Sequence, residues 1–274
     1  IGLAYGRPAD YVERSRMVSA LVQALAKLDY ELMLIPATES VDRWAYKLHD
    51  GRVDGVLVTH PMPTGLDRFI AERGLPAVLM NLRSELPIAQ VSFDDVAGTR
   101  AAMAHLRELG HERIAYFCAP KHDGDHYSNV DRREAYVAEL RAHGLDRHIE
   151  VITQEYENED YVHELPARPA SKRPTALLVY CDHDTRHLIH SLNLVGLQTP
   201  TDVSVVSFTE SRRPWDTVVG VTAGTTPSDE LATQAVALLM QQISSPGSPA
   251  PPPVVLQEDL VVGQTSARRT TFGR

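Results

Sequence analysis

Between Val91 and Phe117 the chain reads VSFDDVAGTRAAMAHLRELGHERIAYF, and few folds accommodate that run. An apolar segment ends in two acidic residues, Asp94 and Asp95, able to cap a helix. Ala102, Leu106 and Leu109 then repeat at helical spacing, Gly110 supplies a left-handed stop, and Ile114 to Phe117 resume as a strand. Strand, helix and strand in such close succession predict a parallel sheet with helices packed on it.

The same alternation runs along most of the sequence. Ile1 to Tyr5 reads as a strand, Tyr11 to Leu28 as a helix with Met17, Leu21, Ala24, Leu25 and Leu28 on one stripe, and Glu31 to Ile35 as a second strand. Helices over about Ser40 to His49 and Thr64 to Arg73 lead to strands at Val53 to Val58 and Pro76 to Met80. These strands are short and almost wholly apolar, the pattern of a sheet covered on both faces. After Phe117 the pattern restarts: helices at about Asp131 to His143 and Asp184 to Val195 alternate with strands near Ile149 to Thr153, Thr175 to Tyr180 and Val203 to Phe208. A last helix, about Asp229 to Ile243, is followed by the loop SSPGSPAPPP and a strand from Val254 to Val262. The 274 residues exceed the roughly 100 to 200 of a single compact core, so the fold class is α/β with two doubly wound parallel-sheet lobes.

Charge and composition narrow the function. A net charge of −9 argues against this stretch gripping a phosphate backbone by itself. No run approaches the roughly 18 apolar residues of a membrane helix, so no membrane partner is expected. Two cysteines, Cys118 and Cys181, are too few for a secreted disulfide scaffold and fit a reducing, cytoplasmic setting. The chain starts at Ile1 within a strand pattern, with no leader visible, and is read as preceded by further residues. Neither Gly-x-Ser-x-Gly, nor a phosphate-cradling glycine loop, nor a dinucleotide glycine fingerprint is present; the expectation is a binder without cofactor, not an enzyme. His183, His187 and His190 beside Cys181 and Asp182 have ligand-compatible spacing, but one solvated helix face has the same spacing, and no metal is expected.

The acidic residues ahead of Gly-Thr-Arg, the closing Leu-Gly-His-Glu-Arg-Ile-Ala and the later Asp202-Val-Ser-Val-Val-Ser-Phe closely resemble the effector-binding core of the lactose-repressor (LacI/GalR) family of bacterial transcription regulators. That resemblance implies periplasmic-binding-protein-like lobes of type I with a ligand cleft between them, made of residues 1–110 plus 228–255 and residues 111–227 plus 256–274. It places chain crossings near Gly110, Thr226 and Leu256. It also implies a homodimer that meets operator DNA through a helix-turn-helix head of about 60 preceding residues, absent from this chain. The effector would be a small molecule, sugar-like by analogy, in a core that works as a repressor's sensor. A solute-binding protein of a sugar transporter has the same architecture and is the competing expectation.

In doubly wound sheets, ligands collect outside the carboxyl ends of the strands. That rule selects loops at Gly6 to Glu13, Thr59 to Pro63, Asn81 to Ser84, Ala119 to Arg133, Cys181 to Asp184 and Thr209 to Trp215, and seven residues, within these loops and beyond them, are candidates. Arg133, read in the pattern Arg-x-x-small-aromatic that Ala135 and Tyr136 complete, matches the family's effector-contacting arginine, whose forked donors suit vicinal hydroxyls or a carboxylate. Asp182 follows an apolar strand where the family has Asn-Asp, and either caps a helix or touches ligand. Thr209 stands where the family commonly has a sugar-holding aspartate, and Gly263 where it has an arginine. Tyr11, Tyr156 and Trp215 offer flat rings for stacking. Asp94, with Asp95, either caps its helix or binds effector hydroxyls from the first lobe. Cys118 and Cys181 end strands expected to be neighbours, which makes a redox pair conceivable and two buried thiols the simpler reading.

Overall fold

The computed structural model describes residues 1–5, 16–36, 51–59, 62, 64–118, 126–153, 160–180, 182–209 and 220–269. Their contacts divide the chain into two units, Ile1–Phe93 with Pro227–Leu256, and Asp94–Thr226 with Gln257–Arg274.

In the first unit, strands β1 (Gly2–Tyr5), β2 (Met33–Pro36), β3 (Val56–Val58), β4 (Ala77–Met80), β5 (Ala89–Phe93) and β11 (Val254–Leu256) form one sheet in the order β11-β5-β4-β3-β1-β2. Every pairing in it is parallel. Successive strand residues point to opposite faces, and each face has its own helices. Leu3, Leu57, Val78 and Met80 pack against α1 (Arg16–Ala26) and α7 (Ser228–Ser244), while Ala4, Val56, Val58 and Leu79 pack against α2 (Leu66–Arg73). The helix expected over Ser40 to His49 lies outside the described residues.

The second unit repeats this plan. Strands β6 (Ile114–Phe117), β7 (Val151–Ile152), β8 (Ala176–Val179), β9 (Ser204–Thr209), β10 (Thr222–Thr225) and β12 (Asp259–Val261) run in the order β12-β10-β9-β8-β6-β7. Only β12 is antiparallel. Helices α3 (Asp95–Glu108) and α4 (Tyr127–Ala142) cover one face through Ala102, Met103, Leu106, Tyr136 and Leu140. The short α5 (Asp160–Glu164) and α6 (Asp182–Leu194) cover the other, through Val162, Leu188, Ile189 and Leu192.

Three features differ from the sequence expectation. The first division falls after Phe93 instead of at residue 110, because the apolar stripe of α3 belongs to the core of the second unit. The strand expected from Val254 to Val262 is two strands, β11 and β12, one in each sheet, separated by Gln257 and Glu258. Finally, β10, with the sequence TAGT, is a fully buried strand that alternation did not reveal.

Gly263 follows β12 at a close backbone crossing. Its N–H donates to Thr222 Oγ1 at 3.0 Å, and the Gln264 N–H donates to the Gly220 carbonyl at 2.6 Å. A Cβ on Gly263 would stand 2.0 Å from the Gly220 carbonyl oxygen and 2.6 Å from the Val221 carbonyl carbon, so the arginine suggested by family resemblance has no room here. Gly263→Ala is expected to cost about 2 to 3 kcal/mol, because backbone must move; a urea titration indistinguishable from the parent protein would contradict that.

Candidate functional site

The carboxyl ends of the parallel strands in the second unit hold an arginine shared by two carboxylates. Asp94 opens the construction. Its side chain accepts the Ala97 N–H at 2.9 Å as the cap of α3, so Asp94 acts in the structure as a helix cap and belongs to the second unit. Capping places Asp95 on the first turn of α3, where it is buried and 2.7 Å from Nη2 of Arg132 on α4. The same Nη2 donates to Glu258 Oε1 at 2.8 Å, and Nη1 donates to the Tyr180 carbonyl at 2.8 Å. The Phe208 ring lies 3.9 Å from the guanidinium carbon and the Tyr180 ring 5.4 Å, both within cation–π range.

One glycine makes room for the glutamate and another for the Phe208 ring. A Cβ on Gly98 of α3 would come within 1.8 Å of Glu258 Oε2, and one on Gly224 of β10 would strike the Phe208 ring at 2.7 Å. The small-residue composition of β10 therefore reflects the volume taken by Phe208 beside it. A hydrogen-bonded chain continues the site outward: His126 Nδ1 meets Ser128 Oγ at 2.7 Å, and Ser128 Oγ meets the Tyr180 hydroxyl at 2.8 Å. Cys118, just past β6, donates its thiol to Asn129 Oδ1 at 2.9 Å. Its strand is the neighbour of β8, but Cys181 lies outside the described residues, as the redox-pair expectation therefore does.

One guanidinium serving two carboxylates divides the benefit unevenly. Burial opposes the charge of Arg132, yet Glu258 and Asp95 outweigh it and hold the guanidinium above its ordinary value. Glu258 is the loser: burial, aided by the Asp95 charge and only partly countered by Arg132, pushes its carboxyl up to about 7. Asp94 at the cap of α3, Asp95 on its first turn and Arg132 from α4 are the charged groups that act on it. Because the folded state binds this proton more tightly than the unfolded chain, with its value near 4.5, stability falls as pH rises from about 4.5 through 7. The loss amounts to roughly 3 kcal/mol at full extent. Glu258→Gln should flatten that slope, and parallel melting curves for parent and variant from pH 5 to 8 would refute the assignment.

The arginine is displaced by one position from the expectation. Arg133 is exposed, whereas Arg132 is buried. Counting back three and four positions from Ala135 and Tyr136 leads to Arg132, and residues so spaced share one helix face. Thr209, at the end of β9, is half-buried, and its carbonyl accepts the Thr226 N–H at 2.8 Å. The Asp182 backbone is the first residue of α6; its side chain, and Tyr11, Tyr156 and Trp215 altogether, lie outside the described residues. Glu258 was not anticipated, since a glutamate within an apolar strand pattern carries no distinguishing signal until the strand is seen to break there. Among the described residues, no group of three or more His, Cys, Asp or Glu is arranged to hold a metal ion, and no helix is long and apolar enough to cross a membrane.

Residues 103–266 match the family described as periplasmic binding protein-like domain. The chain is 28% identical over 195 residues to an arabinose metabolism transcriptional repressor of Geobacillus stearothermophilus, which covers 69% of this chain but only 52% of the repressor. It is 28% identical over 270 residues to the HTH-type transcriptional regulator reg1 of Streptomyces lividans, covering 92% of this chain and 76% of that protein. The crystal structure of a LacI transcriptional regulator from a Rhodococcus species superimposes with a TM-score of 0.81 at 27% identity, covering 98% of both chains. The chain belongs to the periplasmic-binding-protein-like domain family and is a LacI/GalR effector-binding core.

Proposed function

We propose that this core is the sensor of a sugar-responsive transcriptional repressor, cytoplasmic, homodimeric and without catalytic activity. In the whole protein it binds a sugar or sugar derivative at the strand ends that carry Arg132 and Tyr180, and binding changes the affinity of an appended DNA-binding head for its operator. The observation that carries this reading is the similarity to a helix-turn-helix regulator along 92% of the chain; the arabinose repressor relative supports sugar as the ligand class. The physical requirement is that ligand bind one conformation better than the other, since equal affinity for both shifts nothing.

The test uses the full-length gene product and a labelled fragment of its upstream DNA. Arabinose, ribose, maltose and cellobiose are titrated while anisotropy reports DNA affinity, with a change of about tenfold expected for the effector class. A sugar that binds the core without moving DNA affinity would count against the regulator and for a solute-binding role.

A further inference from the structure

Arginines that recognise anionic ligands present an open fork of donors, two parallel N–H groups facing the carboxylate or phosphate. Arg132 has no such fork to offer at its outer end, and Nε, which has no hydrogen-bond partner, is buried. Nη1 is engaged by the Tyr180 carbonyl, Nη2 by both Glu258 and Asp95, and the flat face of the guanidinium by Phe208. One positive and two negative charges leave the cluster at −1, or at zero when one carboxyl holds a proton.

Glu258 is the member of this cluster set there by dedicated means. Its side chain is fully enclosed, it arrives from a segment 126 positions away from Arg132, and the chain keeps a glycine at 98 within a helix interior where a Cβ would collide with it. We propose that Glu258 fixes the charge class of the effector: by closing the Arg132 fork it makes a site for uncharged polyhydroxyl ligands and turns away sugar phosphates and sugar acids. The proposal deepens the effector reading above and rests on it for the location of the site.

Two measurements on this chain test it. In the first, melting temperature is followed against inorganic phosphate, with chloride at matched ionic strength as the reference, for the parent protein, Glu258→Gln and Glu258→Ala. The alanine variant, with Nη2 left to Asp95 alone and space opened where the glutamate side chain stood, should gain a saturable rise of a few degrees at millimolar phosphate, while the parent and the isosteric glutamine variant should not. Equal phosphate responses in all three proteins, or no gain in the alanine variant, would overturn the proposal.

In the second, calorimetry compares glucose with glucose 6-phosphate, ribose with ribose 5-phosphate and arabinose with arabinonate on the parent protein alone, so that it stands even if the alanine variant does not fold. Wherever a pair binds, the neutral member should be tighter by at least about tenfold; a tighter anionic member would overturn the proposal. Silence from every pair tells against the sugar reading of the site, and the phosphate response still decides the question of charge.

Discussion

Replacing Arg132 with alanine should destabilise the protein by about 3 to 5 kcal/mol, the usual result of removing one partner from a buried ion pair. The reason is not the loss of attraction alone. Asp95 and Glu258 are both enclosed, and without the guanidinium the second unit must either bury two unpaired carboxylates or protonate them. A fall of about 10 °C or more in melting temperature is expected for the corresponding transition. Arg132→Lys should restore little, because an ammonium cannot at once reach the Tyr180 carbonyl and both carboxylates in the planar arrangement of the guanidinium. Combining Arg132→Met with Asp95→Asn and Glu258→Gln should recover most of the loss, since the penalty lies in uncompensated charge. A triple variant no more stable than Arg132→Ala would show that packing against Phe208, and not charge, dominates.

Gly98→Ala should be nearly as damaging, against the trend of helix chemistry. Alanine inside a helix is ordinarily favoured over glycine by about 1 kcal/mol. Here the added methyl would lie 1.8 Å from Glu258 Oε2 and 2.8 Å from its carboxyl carbon. The carboxylate cannot simply swing aside: its other oxygen is bonded to Arg132, and its side chain is enclosed. Breaking that bond and crowding the core should cost about 3 kcal/mol in total. In a Glu258→Ala background the same substitution should fall to within about 1 kcal/mol of neutral, giving a strong coupling in a double-mutant cycle. Additive effects would place the strain of Gly98→Ala somewhere other than Glu258.

The periodicity of the sequence carried most of the architecture, because helices on both sheet faces demand apolar strands and apolar helix stripes. Leu21 and Leu25 on α1, Ala102 and Leu106 on α3, and Leu188 and Leu192 on α6 are all core residues that spacing alone picks out. What spacing could not reveal was which sheet each segment joins. Val254 to Val262 reads as one strand, but its halves lie in different sheets, and the residue at the break is Glu258. The helix after Asp94 carries one apolar stripe whichever unit it packs on, so the boundary near 110 was a matter of tertiary contacts. Strand β10 escaped notice because a buried strand beside a large ring needs small residues, and TAGT looks like a turn. Within the site, one position on α4 separates an exposed arginine from a buried one, a rotation of about 100°. The signal that distinguishes them, spacing to Ala135 and Tyr136, was present in the sequence; the two carboxylate partners, 37 and 126 positions away, were not legible from spacing.

The order in which the ribosome delivers these residues gives the cluster a further meaning. Asp95 and Arg132 emerge first, and Glu258 follows 126 positions after Arg132, along with β12 and the segment whose Thr265 hydroxyl donates to the Val205 carbonyl at 2.6 Å. Until then the second unit holds a balanced pair, one acid to one base, and its edge beside β10 stays unpaired. At elongation rates of about 5 to 20 residues per second the interval from Arg132 to Glu258 lasts some seconds, long against local folding. A message truncated before residue 257 would leave a nascent chain with an open sheet edge and Arg132 paired with Asp95 but not with Glu258, so in this protein the net charge of the cluster depends on how far translation has run.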